Sequence, residues 1–374
     1  MCYKIDTLVR RIRIVSNTKK FVLGLAVVVL IAILGFVVLY ITRFRTIGTI
    51  KKLTDYNDHY DLYTMDVKYD YSLDDIINSG YQDTQGFADA VIAESLPLLP
   101  VSIKVPSFGC SAYRTEDVAG NILMGRNYDF RLDTSCLMVR CEPKDGYRSV
   151  AFAALDNINA NELETPDKKM ACLTAPFVCL DGINEKGVSI ATLTLSSEPT
   201  VRNTGKAKLA TPLLVRLVLD KAASTDEALE LIKQYDILSV NGRDYHFIIN
   251  DAAGNSVAVE WDCESETREP VVTPTRAITN FFVMHIDKVQ PGIENGMYGK
   301  GKERYQAILN VLDDNKEKIT REVAWNAIRS AVQEPNPEDV TSNTQWSVLY
   351  DNTNCTAEIV IRRHWGDVHI FEME

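Results

Sequence analysis

The sequence is poor in histidine and lacks the common metal-binding patterns. Its 374 residues include five histidines, none of them in an HExxH motif, and no two cysteines form a CxxC pair. These patterns are the usual signatures of catalytic zinc and of zinc ribbons, so neither class is indicated. None of the histidines stands in a recognisable Cys-His protease context either. We therefore predict no metal and no cofactor.

The chain has fewer basic than acidic residues. The chain carries 40 Lys and Arg against 51 Asp and Glu, a net charge of -11. This balance argues against a nucleic-acid partner and against binding of the soluble part to anionic membranes. Eight cysteines are present, but one sequence gives no disulfide connectivity. Disulfide pairing and oligomeric state stay open.

A β-hairpin is predicted after Gly109-Cys110. Ser111 to Arg114 and Ile122 to Gly125 have the pattern of short strands, and the polar stretch between them contains Gly120, which can adopt positive φ in a turn. In an antiparallel hairpin, the residue numbers of paired residues add up to a constant. That constant is set by the centre of the turn, which is predicted near Val118 and Ala119. Cys110 is thereby predicted to lie opposite the second half of the returning strand.

This register brings a thiol, a guanidinium and a carboxylate together. Cys110 is predicted to face Arg126 and Asn127, with Asp129 close by. A neighbouring guanidinium favours the thiolate, which is the reactive form of cysteine. The hairpin alone would also suit a buried structural cysteine beside a surface Arg-Asp pair.

Several further motifs favour the chemical interpretation. The most specific is Gly-Arg-Asn-Tyr-Asp at Gly125 to Asp129, at this distance after the cysteine. The others, in chain order, are Asp181 to Ala191, His246 to Glu260, Ile278 to Asn280, Glu303 to Tyr305 and Thr344 to Tyr350. With these motifs the chain resembles the choloylglycine hydrolase and penicillin V acylase family of N-terminal nucleophile hydrolases, related to the acid ceramidase-like amidases and to acyl-coenzyme A:6-aminopenicillanic acid acyltransferase. The resemblance runs from Cys110 to about Trp365.

The resemblance implies a catalytic cysteine that becomes the first residue of the mature chain. Cleavage between Gly109 and Cys110 would release an α-amine, whose pKa of about 7.7 to 8.0 suits a general base. No histidine is then required, which fits the small number present. His285, which follows Asn280 closely, is the only one predicted near the site, and a surface or packing histidine is the alternative. Gly109 would allow the close backbone approach that self-cleavage needs.

The resemblance also assigns roles to residues far apart in sequence. Cys110 corresponds to the nucleophile, Arg126 and Asp129 to groups that position and polarise it, and Arg304 to a second arginine near the thiol. Asn280 corresponds to an asparagine whose amide donates to the oxyanion, a contribution of about 2.7 to 4 kcal/mol to transition-state stabilisation.

One position departs from the family pattern. Bile-salt hydrolases carry a second asparagine after the Asn-Glu-Lys-Gly strand, where this chain has Thr194. A threonine hydroxyl can donate but reaches less far, so Thr194 is a candidate oxyanion or substrate contact. The departure weakens a bile-salt assignment and leaves the amidase class intact.

The N-terminus contains a long uncharged apolar run. Residues 21–42 carry no charged side chain, and about 20 apolar residues suffice to cross a bilayer. The run is longer than a signal-peptide core, and no small-x-small cleavage site precedes Arg43. Six basic residues before the run predict that the N-terminus is cytoplasmic and that the rest of the chain lies outside.

The chain is thus predicted to have four parts. They are a cytoplasmic basic tail (1–20), a transmembrane helix (21–42), an extracytoplasmic linker and pro-segment (43–109) and an N-terminal nucleophile amidase domain (110–374). Apolar residues in the pro-segment, including a helical pattern from Phe87 to Leu99, indicate that it packs on the catalytic domain. Whether it stays bound after cleavage is left open.

The pattern of elements alone indicates an α+β protein with helices on the faces of sheets. The predicted helices are Pro212 to Ala223, Thr225 to Tyr235, Glu303 to Asp313 and Arg321 to Ala331. The resemblance refines this class to a four-layer αββα sandwich. Together with the apolar run 21–42, it implies a membrane-anchored, self-processing cysteine amidase that hydrolyses a linear C–N amide of an acylated small molecule through an acyl-cysteine thioester. There are two alternatives: an acyltransferase that uses the same thioester, and an uncleaved, non-catalytic surface binding protein.

Overall fold

A computed structural model describes residues 2–98, 109–289, 301–336, 338 and 342–373, and side chains are considered from residue 19 onward. Residues 99–108 of the predicted pro-segment lie outside the described residues. The helices are α1 (Cys2–Ile47), α2 (Leu73–Asn78), α3 (Thr84–Ser95), α4 (Pro166–Ala171), α5 (Thr211–Lys221), α6 (Thr225–Ile232), α7 (Gly301–Asp314) and α8 (Arg321–Arg329). The 3-10 helices are Leu155–Ile158, Cys172–Phe177 and Val283–Lys288.

Most of the described strands belong to two large sheets. The strands are β1 (Lys51–Lys52), β2 (Leu62–Asp66), β3 (Gly109–Glu116), β4 (Ile122–Asp129), β5 (Cys136–Cys141), β6 (Ser149–Ala154), β7 (Asp181–Asn184), β8 (Ser189–Leu195), β9 (Lys208–Ala210), β10 (Asp236–Leu238), β11 (Asp244–Asn250), β12 (Ser256–Trp261), β13 (Pro270–Pro274), β14 (Ala277–Ile278), β15 (Thr344–Asp351), β16 (Thr356–Ile361) and β17 (His369–Glu372). The larger sheet has the order β1-β2-β5-β6-β7-β8-β11-β12-β13, and the smaller has the order β14-β3-β4-β15-β16-β17. A parallel pair, β9 and β10, stands apart from both.

The two sheets pack face to face, with helices on both outer faces. Strand β3 contacts β8 of the larger sheet, α5 covers β7 and β8, and α7 and α8 cover the smaller sheet. Alternation along the strands explains this layering, because successive side chains point to opposite faces. Ala112 and Met124 belong to the core between the sheets, whereas Tyr113 and Leu123 belong to the core under α7 and α8. The four-layer αββα prediction is confirmed.

The predicted helices of the catalytic region are present, with ends that differ by a few residues. The helix expected to run to Tyr235 ends at Ile232, and the one expected to run to Ala331 ends at Arg329. Good caps fix the starts of both: Ser224 and Thr320 accept hydrogen bonds from backbone N–H groups in the first turn. The helical pattern predicted from Phe87 corresponds to α3, which Asp83 caps.

Helix α1 is long and apolar enough to cross a membrane. Its segment Lys19–Ile47 contains an apolar window of which no part is buried against the protein. A signal sequence satisfies the same criteria of length and composition. The C-terminal end of the helix is different, because Tyr40 is completely buried and Arg43 donates hydrogen bonds to the carbonyls of Glu94 and Ser95.

The segment between α1 and the hairpin is built into the larger sheet. Strand β2 pairs in parallel with β5, and Leu62 and Met65 on it are completely buried. Farther along, the Tyr69 hydroxyl donates to the carbonyl of Leu173, and the Tyr81 hydroxyl accepts from the backbone N–H of Ala210. This segment therefore contributes both an outer part of the sheet and part of the core.

Disulfides are absent from the part of the chain whose side chains are described. Seven cysteines are free thiols there, five of them buried. Burial is the main cause that raises the pKa of Cys136, Cys172 and Cys179, which stay protonated as small apolar core groups. The five buried thiols pack within the hydrophobic core.

Candidate active site

The hairpin of β3 and β4 positions the candidate nucleophile. Its turn is the predicted one, with Gly120 at φ +82°, but the pairing differs from the predicted register. Cys110 lies opposite Tyr128, and Arg126 lies opposite Ala112. The prediction was wrong by one to two residues because the turn is centred on Ala119 rather than between Val118 and Ala119. Arg126 is nevertheless a diagonal neighbour of Cys110 on the same face.

Gly125 allows this hairpin to pack against α8. A Cβ atom at Gly125 would lie 2.2 Å from a ring carbon of Tyr113, its cross-strand partner. The Tyr113 ring lies across the glycine, and its hydroxyl donates to the carbonyl of Ala324 on α8. The glycine of the Gly-Arg-Asn-Tyr-Asp motif is thus required by packing, one residue before the arginine that reaches the thiol.

Arg126 links the thiol to the opposite sheet. Its Nη2 lies 3.3 Å from Cys110 Sγ and 3.3 Å from the carbonyl oxygen of Thr192. Its Nε forms an ion pair with Asp181 Oδ2 at 2.7 Å, and the Tyr350 hydroxyl donates to the other oxygen of that carboxylate. The Arg126 side chain is completely buried, so the guanidinium is fixed in place and its charge is compensated by Asp181.

The Cys110 thiol is completely buried. Burial raises the pKa of Cys110 to about 12, and the Arg126 guanidinium only partly opposes this effect. A thiol with that pKa is protonated at neutral pH and is a weak nucleophile. The chemistry of this site therefore needs either a base close to the sulfur or a change in its surroundings.

A second arginine holds the backbone of the nucleophile. Arg304 on α7 donates from Nη1 to the carbonyl oxygen of Cys110 at 2.8 Å and to Asp129 Oδ2 at 3.3 Å. Its Nη2 donates to Asn280 Oδ1 at 2.8 Å. One side chain therefore connects three of the residues that the motifs predicted, although they come from separate parts of the chain.

Asn280 contacts the atom at which the mature chain is predicted to begin. Its Oδ1 accepts a hydrogen bond from the backbone N–H of Cys110 at 3.0 Å, and its Nδ2 donates to the carbonyl of Thr194 at 2.8 Å. A side-chain amide has two N–H donors, so the bond to Thr194 leaves one available to another acceptor. The side chain is 4% exposed.

Asp129 is the ion-pair partner of Arg304 and lies opposite Gly109 in the strand register. Burial raises its pKa to about 6, against the opposing effects of Arg304 and of the Thr344 hydroxyl, which donates to Oδ1 at 2.6 Å. The carboxylate is therefore ionised at neutral pH and becomes neutral in mild acid.

Thr194 lies beside this cluster. Its carbonyl accepts from Asn280, while its buried Oγ1 has no hydrogen-bond partner among the residues whose side chains are described. Buried hydroxyls normally have a partner. The hydroxyl is thus an available donor close to the residues that surround the thiol.

Cys110, Arg126, Asp129, Asn280, Arg304 and Thr194 come together as predicted. His285, also among the described residues, contacts none of them and lies beside Asp262 and Cys263. Two residues that support the site, Asp181 and Thr344, were not predicted. Both belong to the sequence motifs given above, Asp181 at the start of Asp181 to Ala191 and Thr344 at the start of Thr344 to Tyr350. The signal for Asp181 is a charged residue that directly follows an apolar run, Ala175 to Leu180, since a buried carboxylate needs a cationic partner. Nothing in the sequence pairs Thr344 with Asp129, because bulged pairing between β4 and β15 brings them together.

The αββα fold, with the Cys110 thiol on strand β3 of the smaller sheet, is the fold of the N-terminal nucleophile hydrolases. Two kinds of solved structure have the same fold. Penicillin V acylase from Agrobacterium tumefaciens superposes with a TM-score of 0.51 at 14% identity, covering 71% of this chain and 86% of that one. A mutant conjugated bile acid hydrolase from Clostridium perfringens gives 0.52 at 16% identity, covering 71% and 92%.

Residues 110–266 match the linear amide C-N hydrolases of the choloylglycine hydrolase family, which confirms the family resemblance drawn from the motifs. Members of this family hydrolyse carbon–nitrogen bonds in linear amides. Among curated proteins, none matches the chain significantly. Asn280 and Arg304 lie beyond the matched residues, so their place in the site rests on the contacts described above.

Proposed function

We propose that the protein is a membrane-anchored, self-processing cysteine amidase that cleaves a linear C–N amide of an acylated small molecule. The observation that carries the proposal is the surroundings of Cys110: its sulfur contacts Arg126, its carbonyl contacts Arg304, and its N–H contacts Asn280. A structural cysteine requires none of these three contacts.

Processing is proposed to begin with the thiol. The sulfur of Cys110 attacks the carbonyl carbon of Gly109, the thioester C–S bond forms, and the peptide C–N bond breaks as its nitrogen takes up a proton. Water then hydrolyses the thioester, which leaves a carboxylate on Gly109 and a free α-amine and thiol on Cys110. In the uncleaved chain, the complete burial and raised pKa of the thiol are consistent with an inactive precursor.

The new α-amine then supplies the base that the site lacks. It would accept the thiol proton, and Oδ1 of Asn280 is positioned to orient it. The thiolate attacks the substrate amide, and the second N–H of Asn280 and the Thr194 hydroxyl are candidate donors to the oxyanion. The leaving nitrogen takes the proton from the amine, and water resolves the acyl-cysteine thioester.

The amidase activity is proposed to sit at a membrane surface. Arg43, one residue beyond the predicted span 21–42, is hydrogen-bonded to the end of α3, which joins the apolar helix to the folded domain. Such packing is expected of a permanent anchor and is not needed by a signal peptide that is removed. The catalytic domain is then extracytoplasmic, with the basic N-terminus in the cytoplasm.

The segment before Cys110 is proposed to remain bound after cleavage. Strand β2 is hydrogen-bonded between β1 and β5, and its departure would expose a strand edge together with the apolar core beneath Leu62 and Met65. Loss of a buried Leu or Met side chain costs about 2 to 5 kcal/mol on its own. The mature enzyme would therefore consist of two non-covalently associated chains.

The test uses the full chain with an N-terminal tag, purified in detergent, beside a Cys110→Ala variant. We expect two fragments on a denaturing gel, the second beginning Cys110-Ser111-Ala112, that co-purify through the tag under native conditions; Cys110→Ala stays intact. An uncleaved wild-type chain would overturn self-processing, whereas cleavage followed by loss of the second fragment would overturn retention alone.

Retention is measured by the urea concentration that releases the untagged fragment from the tagged one. Met65→Ala, in the core, is expected to lower this concentration, and Thr64→Ala, a half-exposed neighbour on β2, is expected to leave it nearly unchanged.

The amidase activity is tested by giving the processed protein a panel of N-acyl amides. Release of free acid and amine, unaffected by an added acceptor amine, supports the hydrolase over an acyltransferase.

A further inference from the structure

A side-chain cluster outside the active site brings together three groups of the kinds that bind metal ions. It lies where the turn after β12 meets the 3-10 helix Val283–Lys288. One potential ligand atom from each of Asp262, Cys263 and His285 lies within 4.8 Å of the other two. His285 is distant from the other two in sequence, so no spacing motif reveals the set.

His285 is the most informative member of the cluster. Its Nε2 is buried but has no hydrogen-bond partner among the residues whose side chains are described. The nearest carboxylate oxygens, from Asp262 and Glu264, lie 3.9 Å away, which is too far for a hydrogen bond. Two atoms that share one tetrahedral zinc ion are separated by about 3.4 Å, given metal–ligand bonds of about 2.0 to 2.2 Å. The 3.9 Å between His285 Nε2 and Asp262 Oδ1 exceeds this value by about 0.5 Å, so binding of zinc would draw the two side chains slightly together.

The chemistry of the donors favours zinc over the hard cations. One imidazole nitrogen, one sulfur and one carboxylate oxygen form a mixed set that suits Zn²⁺, whereas Ca²⁺ and Mg²⁺ prefer oxygen alone. Glu264 is engaged by Lys288 at 2.6 Å. A thiolate at Cys263 and the carboxylate of Asp262 would then balance the charge of a divalent ion.

The backbone around the cluster is already fixed. The carboxylate of Glu260, two residues before Asp262, accepts hydrogen bonds from the backbone N–H groups of Val283 and Met284, each at 2.8 Å. The buried side chain of His246 contacts the same carboxylate at 2.8 Å. Both sides of the cluster are therefore held together without an ion, as a preorganised site requires.

We propose that Asp262, Cys263 and His285 bind a zinc ion, with water in the fourth position, and that this ion fixes the turn after β12 to the helix that follows Asn280. The proposal is independent of the amidase activity, because it concerns residues that do not contact Cys110. It departs from the sequence-based prediction of no metal, and it places His285 in a cluster separate from the thiol near which the sequence predicts it.

Metal binding is tested on the full chain in the Cys110→Ala background, which removes the thiol of the active site. After chelator treatment, Zn²⁺ is titrated by calorimetry, and Co²⁺ is added as a spectroscopic probe of thiolate ligation. We expect one ion per chain and a thiolate-to-cobalt charge-transfer band. Cys263→Ser and His285→Gln should each abolish both, whereas Cys355→Ser, at another half-buried free cysteine, should change neither.

The unfolding temperatures of the variants show whether the loss of metal binding results from misfolding. Without metal, the Cys263→Ser and His285→Gln variants should unfold at the temperature of their parent, and Zn²⁺ should raise that temperature in the parent and in Cys355→Ser only. Absence of stoichiometric binding to the parent would overturn the proposal. So would binding that Cys263→Ser and His285→Gln leave unchanged.

Discussion

Arg126 and Asp181 form a completely buried ion pair, with Nε and Oδ2 2.7 Å apart, directly behind the candidate nucleophile. The pair joins the smaller sheet to the larger one and holds Nη2 of Arg126 at the sulfur. A buried pair of this kind adds little net stability, but removal of one partner leaves an uncompensated charge. Its value here is to fix the position of the guanidinium.

Asp181→Asn is expected to destabilise the protein by about 3 to 5 kcal/mol and to slow alkylation of Cys110 in the processed enzyme, because Arg126 loses its orienting partner. Asp220→Asn is the matched control, since it breaks another buried pair, Arg216–Asp220, at 2.6 Å. Urea unfolding and iodoacetamide labelling measure the two effects. Equal loss of labelling in both variants would mean that the effect on the thiol is only a consequence of destabilisation.

Asn280→Asp is expected to lower kcat about 10²- to 10³-fold, as loss of one oxyanion donor typically does. Aspartate keeps an oxygen that can accept from the N–H of Cys110 and from Arg304, but it loses the amide donor. Steady-state kinetics on the best amide of the panel measure the effect. Asn280→Ala removes both functions and should also slow processing; full activity in Asn280→Asp would exclude Asn280 as a donor.

Thr194→Val is expected to lower kcat about tenfold, the equivalent of one ordinary hydrogen bond, and to leave stability unchanged or improved. Its hydroxyl is buried without a partner in the described protein, so its removal costs no existing contact. Thr194→Ser should retain the rate. Thr200→Val removes a similar unpaired buried hydroxyl elsewhere and serves as the control. Unchanged kcat in Thr194→Val would remove this residue from the site.

The raised pKa of Asp129 predicts that the stability of the protein depends on pH. Its pKa in the folded chain is raised to about 6, above the value of 3.8 for a free side chain. The folded state therefore binds the proton more tightly, and this contribution to stability is present below about pH 4 and lost as pH rises to about 6. The Cys110→Ala protein, which stays uncleaved, is compared with the same protein carrying Asp129→Asn as well. As pH rises through this window, the first should lose stability relative to the second. A constant difference in unfolding free energy between pH 4 and pH 7 would contradict the assignment.

The local sequence pattern was sufficient to predict many of the helices and strands. The apolar periodicity and capping residues around Thr225 and Arg321 fixed two helices, and a polar stretch with Gly120 fixed the catalytic hairpin. The register of that hairpin was not fixed, because a shift of the turn centre by half a residue changes every partner. Helix ends also differed, since the last turns at Ile232 and Arg329 depend on what they pack against.

The amino-acid sequence by itself determined that Cys110, the candidate nucleophile, lies near Arg126 and Asp129 and that the N-terminus forms an apolar helix, because each depends on residues close together in the chain. Only the tertiary structure decided how Asp181 supports Arg126, how Arg304 ties Cys110 to Asn280, and how strand β2 enters the larger sheet. The physical reason is that pairing of distant strands and burial of compensating charges depend on the whole fold. No local pattern encodes either of them.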